Sequence, residues 1–141
     1  MHKISIEIDP KLTGLKKNKA ENIIKYVLVQ EGISISEITL VFGGKELLRS
    51  LKKEFFDLNV TTDVIAFRLN EYQEKNIDGE IYICLPVAKE NAELYKEPYE
   101  TEVARLIIHG GLHLIGYDDS TEEDRNAMRK LENKYLEELE I

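Results

Sequence analysis

The sequence predicts an α+β fold: a mixed β-sheet covered by helices, formed by residues 1–141 as a single domain, with a metal site on a helix-turn near the C-terminus. Three observations lead there. Strand-like runs dominate the first part of the chain and helix-like apolar spacing dominates the last part. The 141 residues, 43% of them hydrophobic, suit one compact core. No internal repeat, low-complexity tract or Pro/Gly-rich linker divides the chain.

Taken in order, Ile4, Ile6 and Ile8 alternate with polar residues and read as a first strand. Ala20, Ile23, Ile24, Val27 and Leu28 follow helical spacing, and Gly32 ends that helix. A strand follows at about Glu37 to Phe42, where ITLVF is β-branched and aromatic and stops at Gly43 and Gly44. Lys45 to about Phe55 reads as a short helix. VIAFRL (Val64 to Leu69) and EIYICL (Glu80 to Leu85) are neighbouring strands, separated by a polar loop that holds Asn76, Asp78 and Gly79.

Val87 to about Tyr95 is a helix, and Pro98 opens another that runs to Ile115, with Gly116 at the position of a left-handed C-terminal residue. Ser120 and Glu123 form a capping box for the last helix, whose apolar stripe is Ala127, Met128, Leu131 and Tyr135.

A formal charge of −8 opposes indiscriminate binding to nucleic acid, so any RNA partner needs a local basic patch. Lys16, Lys17 and Lys19 are candidates, as are Lys45, Arg49, Lys52, Lys53 and Arg68, although a solvated helix face is the ordinary role of each lysine. MHKISIEIDP alternates apolar and polar residues and does not read as a leader, and no later apolar run approaches a membrane span, so a soluble, unexported protein with no membrane partner is expected. Cys84 is the only cysteine, which fits a reducing cytosol, and a buried inert thiol is its ordinary reading. His2 is expected to be solvated. Asp63, before a buried strand, is expected to cap a turn.

HGGLHLIGYDDS, His109 to Ser120, carries the chemistry. On a helix, residues four apart share a face, so His109 and His113 can direct nitrogens at one point. Gly110 and Gly111 cost about 1 kcal/mol each against Ala in a helix interior, which requires something to approach closely between the histidines. Gly116 turns the chain back, bringing Asp118 and Asp119 to where a third ligand completes a site with open positions. The comparison with H-E-x-x-H of zinc proteases fails at Gly110, where a protease needs its glutamate base, and this disfavours a peptidase.

This stretch resembles the YbeY endoribonucleases, whose pattern H-G-x-L-H-L-x-G-Y-D-H is met here by H-G-G-L-H-L-I-G-Y-D-D. TTDVIAF (Thr61 to Phe67) is similar to the family's P-T-D-V-L-S-F, and DGEIYIC (Asp78 to Cys84) to its L-G-D-I-x-I-C. Glu123, Met128 and Glu132 fall where the family's last helix has E, M and E. The likeness covers essentially the whole chain.

The resemblance implies a metal-dependent, single-strand-specific endoribonuclease of the bacterial cytoplasm, acting in rRNA processing (16S rRNA 3′-end maturation) and ribosome quality control. It implies one Zn²⁺ ion, with His109 and His113 as ligands that also act catalytically through the metal and its water. The third ligand position is Asp119, where the family has histidine, and a carboxylate is a competent zinc ligand. The family's arginine before the P-T-D segment falls on Phe56, with Phe55 before it, leaving Lys52, Lys53 or Arg68 to supply positive charge. Tyr117 and Asp118 are assigned supporting or packing roles. Single-stranded rRNA and the ribosome or its small-subunit proteins are the expected partners, and DNA is not. The alternative is a ribosome-associated assembly factor with a structural metal and weak or no catalysis.

Overall fold

The structure, a computed structural model, describes residues 3–141, so His2 lies outside the described residues. The elements are β1 (Lys3–Ile8), α1 (Lys17–Gln30), β2 (Ser34–Gly43), α2 (Lys45–Phe56), β3 (Val64–Arg68), β4 (Asn76–Cys84), α3 (Leu85–Tyr95), α4 (Tyr99–Leu114) and α5 (Glu122–Glu138). The sheet order is β1-β2-β4-β3. β1 and β4 both run parallel to β2, and β3 pairs antiparallel with β4, so the sheet is mixed. No described helix is long and apolar enough to cross a membrane.

β4 is longer than its residues suggest. Asn76, Asp78 and Gly79, expected in a polar loop, lie inside the strand, because pairing with β2 from Ser34↔Asn76 onward, through a register shift between Ile35 and Glu37, overrides their turn preference. Gly79 has a packing reason to be there: a Cβ would stand 2.9 Å from Leu114 Cδ2 and 3.1 Å from the carbonyl oxygen of Phe67. Along β4, Ile77, Ile81 and Ile83 join the main core with α1 and α4, while Cys84 joins Leu48 of α2 and Ile65 of β3 on the opposite face.

Helix α4 is the spine of the molecule, buried without interruption from Glu102 to Ile108. Its two internal glycines explain how it sits so deep. A Cβ on Gly110 would stand 2.6 Å from Ile81 Cγ2 and 3.3 Å from Val64 Cγ2, and one on Gly111 would stand 2.7 Å from Ile24 Cδ1. The close approach expected at this turn is therefore made by the sheet on one side and α1 on the other, both of them packing contacts.

The end of α4 is closed by two backbone bonds around Gly116, which takes φ +104: its N–H donates to His113 O at 3.1 Å, and that of Tyr117 to Leu112 O at 3.1 Å. Arg68 adds a third closure, donating through Nη1 to Leu114 O at 2.9 Å. Helix α5 starts one residue later than the expected capping box. Thr121 Oγ1, not Ser120, accepts the Asp124 N–H at 3.0 Å, because the Ser120 hydroxyl already donates to Asp118 Oδ2 at 2.8 Å. The buried face of α5 is Met128, Glu132, Tyr135 and Leu136, whereas Ala127 is exposed, so the expected stripe is rotated toward a glutamate.

Candidate metal centre

His109 and His113 stand on the last turns of α4, their ring centroids 4.6 Å apart. Asp119 returns to them through the Gly116 turn: its Oδ2 lies 3.4 Å from His109 Nε2 and 3.3 Å from His113 Nε2. One ligand atom from each residue lies within 4.8 Å of the others, so the group can hold a metal ion. Two imidazoles and one carboxylate are a donor set that suits zinc and leaves coordination positions open.

Asp118 does not join this group. It organises the loop, its Oδ1 accepting the N–H groups of Asp119 (2.8 Å) and Ser120 (3.2 Å). Those bonds, led by the Ser120 hydroxyl, hold its carboxyl below the usual range. Tyr117 ties the same loop to α1 by donating to Glu31 Oε1 at 2.7 Å, an acceptor residue it shares with Tyr135. The hydrogen bond to that carboxylate, with burial, pushes the Tyr117 pKa up to about 12.

His109 is held from behind. Its Nδ1 lies 2.7 Å from Glu132 Oε2, a carboxylate buried on the core face of α5. Burial alone would push the His109 pKa down, but the bond and charge of Glu132, with Asp119 and Asp63 nearby, more than offset this and hold it above the usual 6.5.

Beside the histidines a cavity of about 300 Å³ opens between α3, α4 and α5. Asp63, Asn91 and Glu102 are among its lining residues, together with Arg125 and Arg129 from the first turns of α5. Asp63 thus faces the cavity with its side chain, 3.5 Å from Asn91 Nδ2, and caps no turn; only its carbonyl serves the backbone, accepting from Cys84 N–H at 2.8 Å.

None of the basic residues singled out in the sequence lines this cavity. Lys45 is paired with Glu90 at 2.5 Å, Lys19 with Glu100 at 3.5 Å, and Arg49 contacts Glu46 and Thr61. Lys52 stands 4.6 Å from the Phe56 ring. Arg68 is engaged inside the fold with four acceptors: Asn70 Oδ1 and the carbonyls of Glu71, Glu74 and Leu114. Sequence reasoning misses Arg125 and Arg129, because two arginines one turn apart at a helix start carry no pattern of their own. Their place directly after the histidine motif is the available signal.

A family model described as endoribonuclease YbeY matches residues 5–140. The chain belongs to the YbeY endoribonuclease family. Two bacterial relatives bear that name: one from Chlorobium phaeobacteroides (strain BS1), 38% identical over 125 residues with 89% of each chain covered, and one from Desulforamulus reducens (strain ATCC BAA-1160 / DSM 100696 / MI-1), 41% identical over 129 residues with 86% of this chain and 84% of the relative covered. A solution structure from Thermotoga maritima superposes with a TM-score of 0.64 at 26% identity, covering 96% of this chain and 88% of that one. Within this fold His109, His113 and Asp119 form a three-donor cluster.

Proposed function

We propose that the protein is a metal-dependent, single-strand-specific endoribonuclease of the cytoplasm that matures rRNA, including the 16S 3′ end, and serves ribosome quality control alongside small-subunit proteins. The observation that carries the reading is the convergence of His109 Nε2, His113 Nε2 and Asp119 Oδ2 beside a cavity flanked by Arg125 and Arg129. Membership in a family named for endoribonuclease activity supplies the substrate class.

In this reading His109, His113 and Asp119 hold one Zn²⁺. When bound, the ion supplies the positive charge that brings the pKa of a water toward neutrality and offsets charge developing on phosphate oxygens. The protein's own groups do the rest. Arg125 and Arg129 bring guanidinium groups to the cavity wall, where they can position a phosphodiester by charge-assisted hydrogen bonds. Asp63, which lines the same cavity as His109, offers a carboxylate there that can accept a proton.

Elemental analysis of the purified protein, paired with cleavage assays on single-stranded and duplex RNA of one sequence, tests this. The parent should contain about one zinc per chain, the ligand set of a single-ion site, and cut only the single strand, with His113→Ala losing both properties. Cleavage that persists in metal-free His113→Ala would trace to a contaminant and end the assignment. A metal-loaded parent that binds RNA without cutting it would move the protein to the assembly-factor reading.

A further inference from the structure

We infer that Glu132, backed by Arg105, is a positioning residue that fixes the tautomer and rotation of His109, making His109 the preset ligand of the centre and His113 the adaptable one. The inference rests on the metal reading above and adds to it the group that sets one ligand before any ion arrives.

The first observation is the location of Glu132. It is 5% exposed on the core face of α5, with Met128 and Tyr135 on the same face. A lone buried carboxylate costs several kcal/mol, and replacing a buried ion pair by apolar side chains is often neutral or stabilising. Folding alone gives no reason for a glutamate there.

The second is its division of labour. Glu132 Oε2 lies 2.7 Å from His109 Nδ1, while Oε1 faces Arg105 Nη1 at 3.6 Å. A carboxylate only accepts, so Nδ1 carries the proton and Nε2 of the neutral ring keeps its lone pair. That Nε2 is the atom 3.4 Å from Asp119 Oδ2, on the side where the three donors converge. The one bond therefore settles both which nitrogen is free and where it points.

The third is the clamp behind the carboxylate. Arg105, one turn before His109 on α4, is itself buried and donates through Nη1 to Asn133 Oδ1 at 2.7 Å and through Nη2 to Glu97 Oε1 at 3.0 Å. It spans α4, α5 and the residues before α4, so it gives Glu132 a counter-charge and immobilises the surface on which His109 leans. His113, by contrast, shows no side-chain hydrogen bond to another described residue apart from its approach to Asp119, and is the more exposed ring.

The test uses the full chain and two readouts that do not depend on catalysis: zinc affinity by competition with a chromophoric chelator, and ¹⁵N imidazole spectra of the metal-free protein above the histidine titration range. The parent should show His109 as the Nδ1–H tautomer. Glu132→Ala should shift His109 toward the Nε2–H form, leave the His113 spectrum unchanged, and lower zinc affinity on the order of 10- to 100-fold. Glu132→Gln, which keeps a carbonyl acceptor at the same place, should retain the tautomer and fall between the two in affinity.

A folded Glu132→Ala with the parent's His109 tautomer and zinc affinity overturns the proposal. Should Glu132→Ala not fold, Glu132→Gln decides, and an affinity equal to the parent's removes Glu132 from the centre. The tautomer is read without metal or RNA, so failure of the nuclease reading would appear separately, as zinc binding without cleavage.

Discussion

Asp119 puts an anion where two imidazoles already converge, and this sets the charge of the centre. With an anionic ligand a bound zinc is one positive charge weaker than in a three-histidine site, so the pH–rate profile of the parent should sit at higher pH than that of Asp119→His. Asp119→Ala should lose zinc affinity by at least on the order of 100-fold, the upper end of what loss of a supporting group alone costs. His109 adds its own pH dependence. Its folded-state pKa is raised above 6.5 because Glu132 and the nearby acids outweigh burial, so in metal-free protein its contribution to stability is present below 6.5 and lost as pH rises through the raised value. Zinc needs the unprotonated Nε2, so its affinity should climb over that same window and level off above it. Zinc titrations of the parent, Asp119→Ala and Asp119→His across that range, with pH–rate profiles of the parent and Asp119→His, check these outcomes, and an affinity in Asp119→Ala equal to the parent's would remove Asp119 from the ligand set.

At the level of elements, the centre depends on how α4 ends. Gly116 at φ +104 lets the chain reverse, and Arg68 ties Leu114 O to the segment after β3 through three further acceptors. Removing this guanidinium takes the donor from Leu114 O, while Glu71 O keeps the Glu74 N–H at 3.0 Å and the exposed Glu74 O turns to water, so Arg68→Ala should destabilise by about 1 to 2 kcal/mol. Lys53→Ala, on the exposed end of α2, should cost about 0.5 kcal/mol or less. Denaturant unfolding of the two variants separates an internal brace from a surface charge. Equal midpoints would show that Arg68 is dispensable to the fold and restore it as a candidate for binding RNA.

For the molecule as a whole, a net charge of −8 means that RNA binding depends on a local cationic surface and not on the overall field. In the proposed reading that surface is the start of α5, where Arg125 and Arg129 line the cavity beside His109, and not the lysines of α1 and α2. Joint replacement of Arg125 and Arg129 by Ala should weaken single-stranded RNA binding and lower its salt slope by about 1 for each phosphate that is no longer neutralised. Joint replacement of Lys52 and Lys53 should do less. Binding isotherms at several salt concentrations rank the two patches, and a steeper loss of affinity from the lysine pair would return the RNA path to α2.

The sequence by itself determined the α+β class, the neighbouring β3 and β4 strands, and the meeting of His109 and His113 with the returning acidic loop, because each is written in local spacing: period two, period 3.6, an i, i+4 pair and a glycine turn; spacing left Asp118 and Asp119 both open as the third donor, and the family resemblance singled out Asp119. It left the roles of the two glycines open, since Gly110 and Gly111 are explained by Ile81 and Ile24, residues far away in the chain. Only the tertiary structure decided that Arg68 braces the end of α4, that Asp63 faces the cavity, and that Glu132 and Arg105 stand behind His109. The reason is physical. A charged side chain reads the same in sequence whether it meets water or a partner distant in the chain, and only the packing of the elements against one another fixes which of the two it meets.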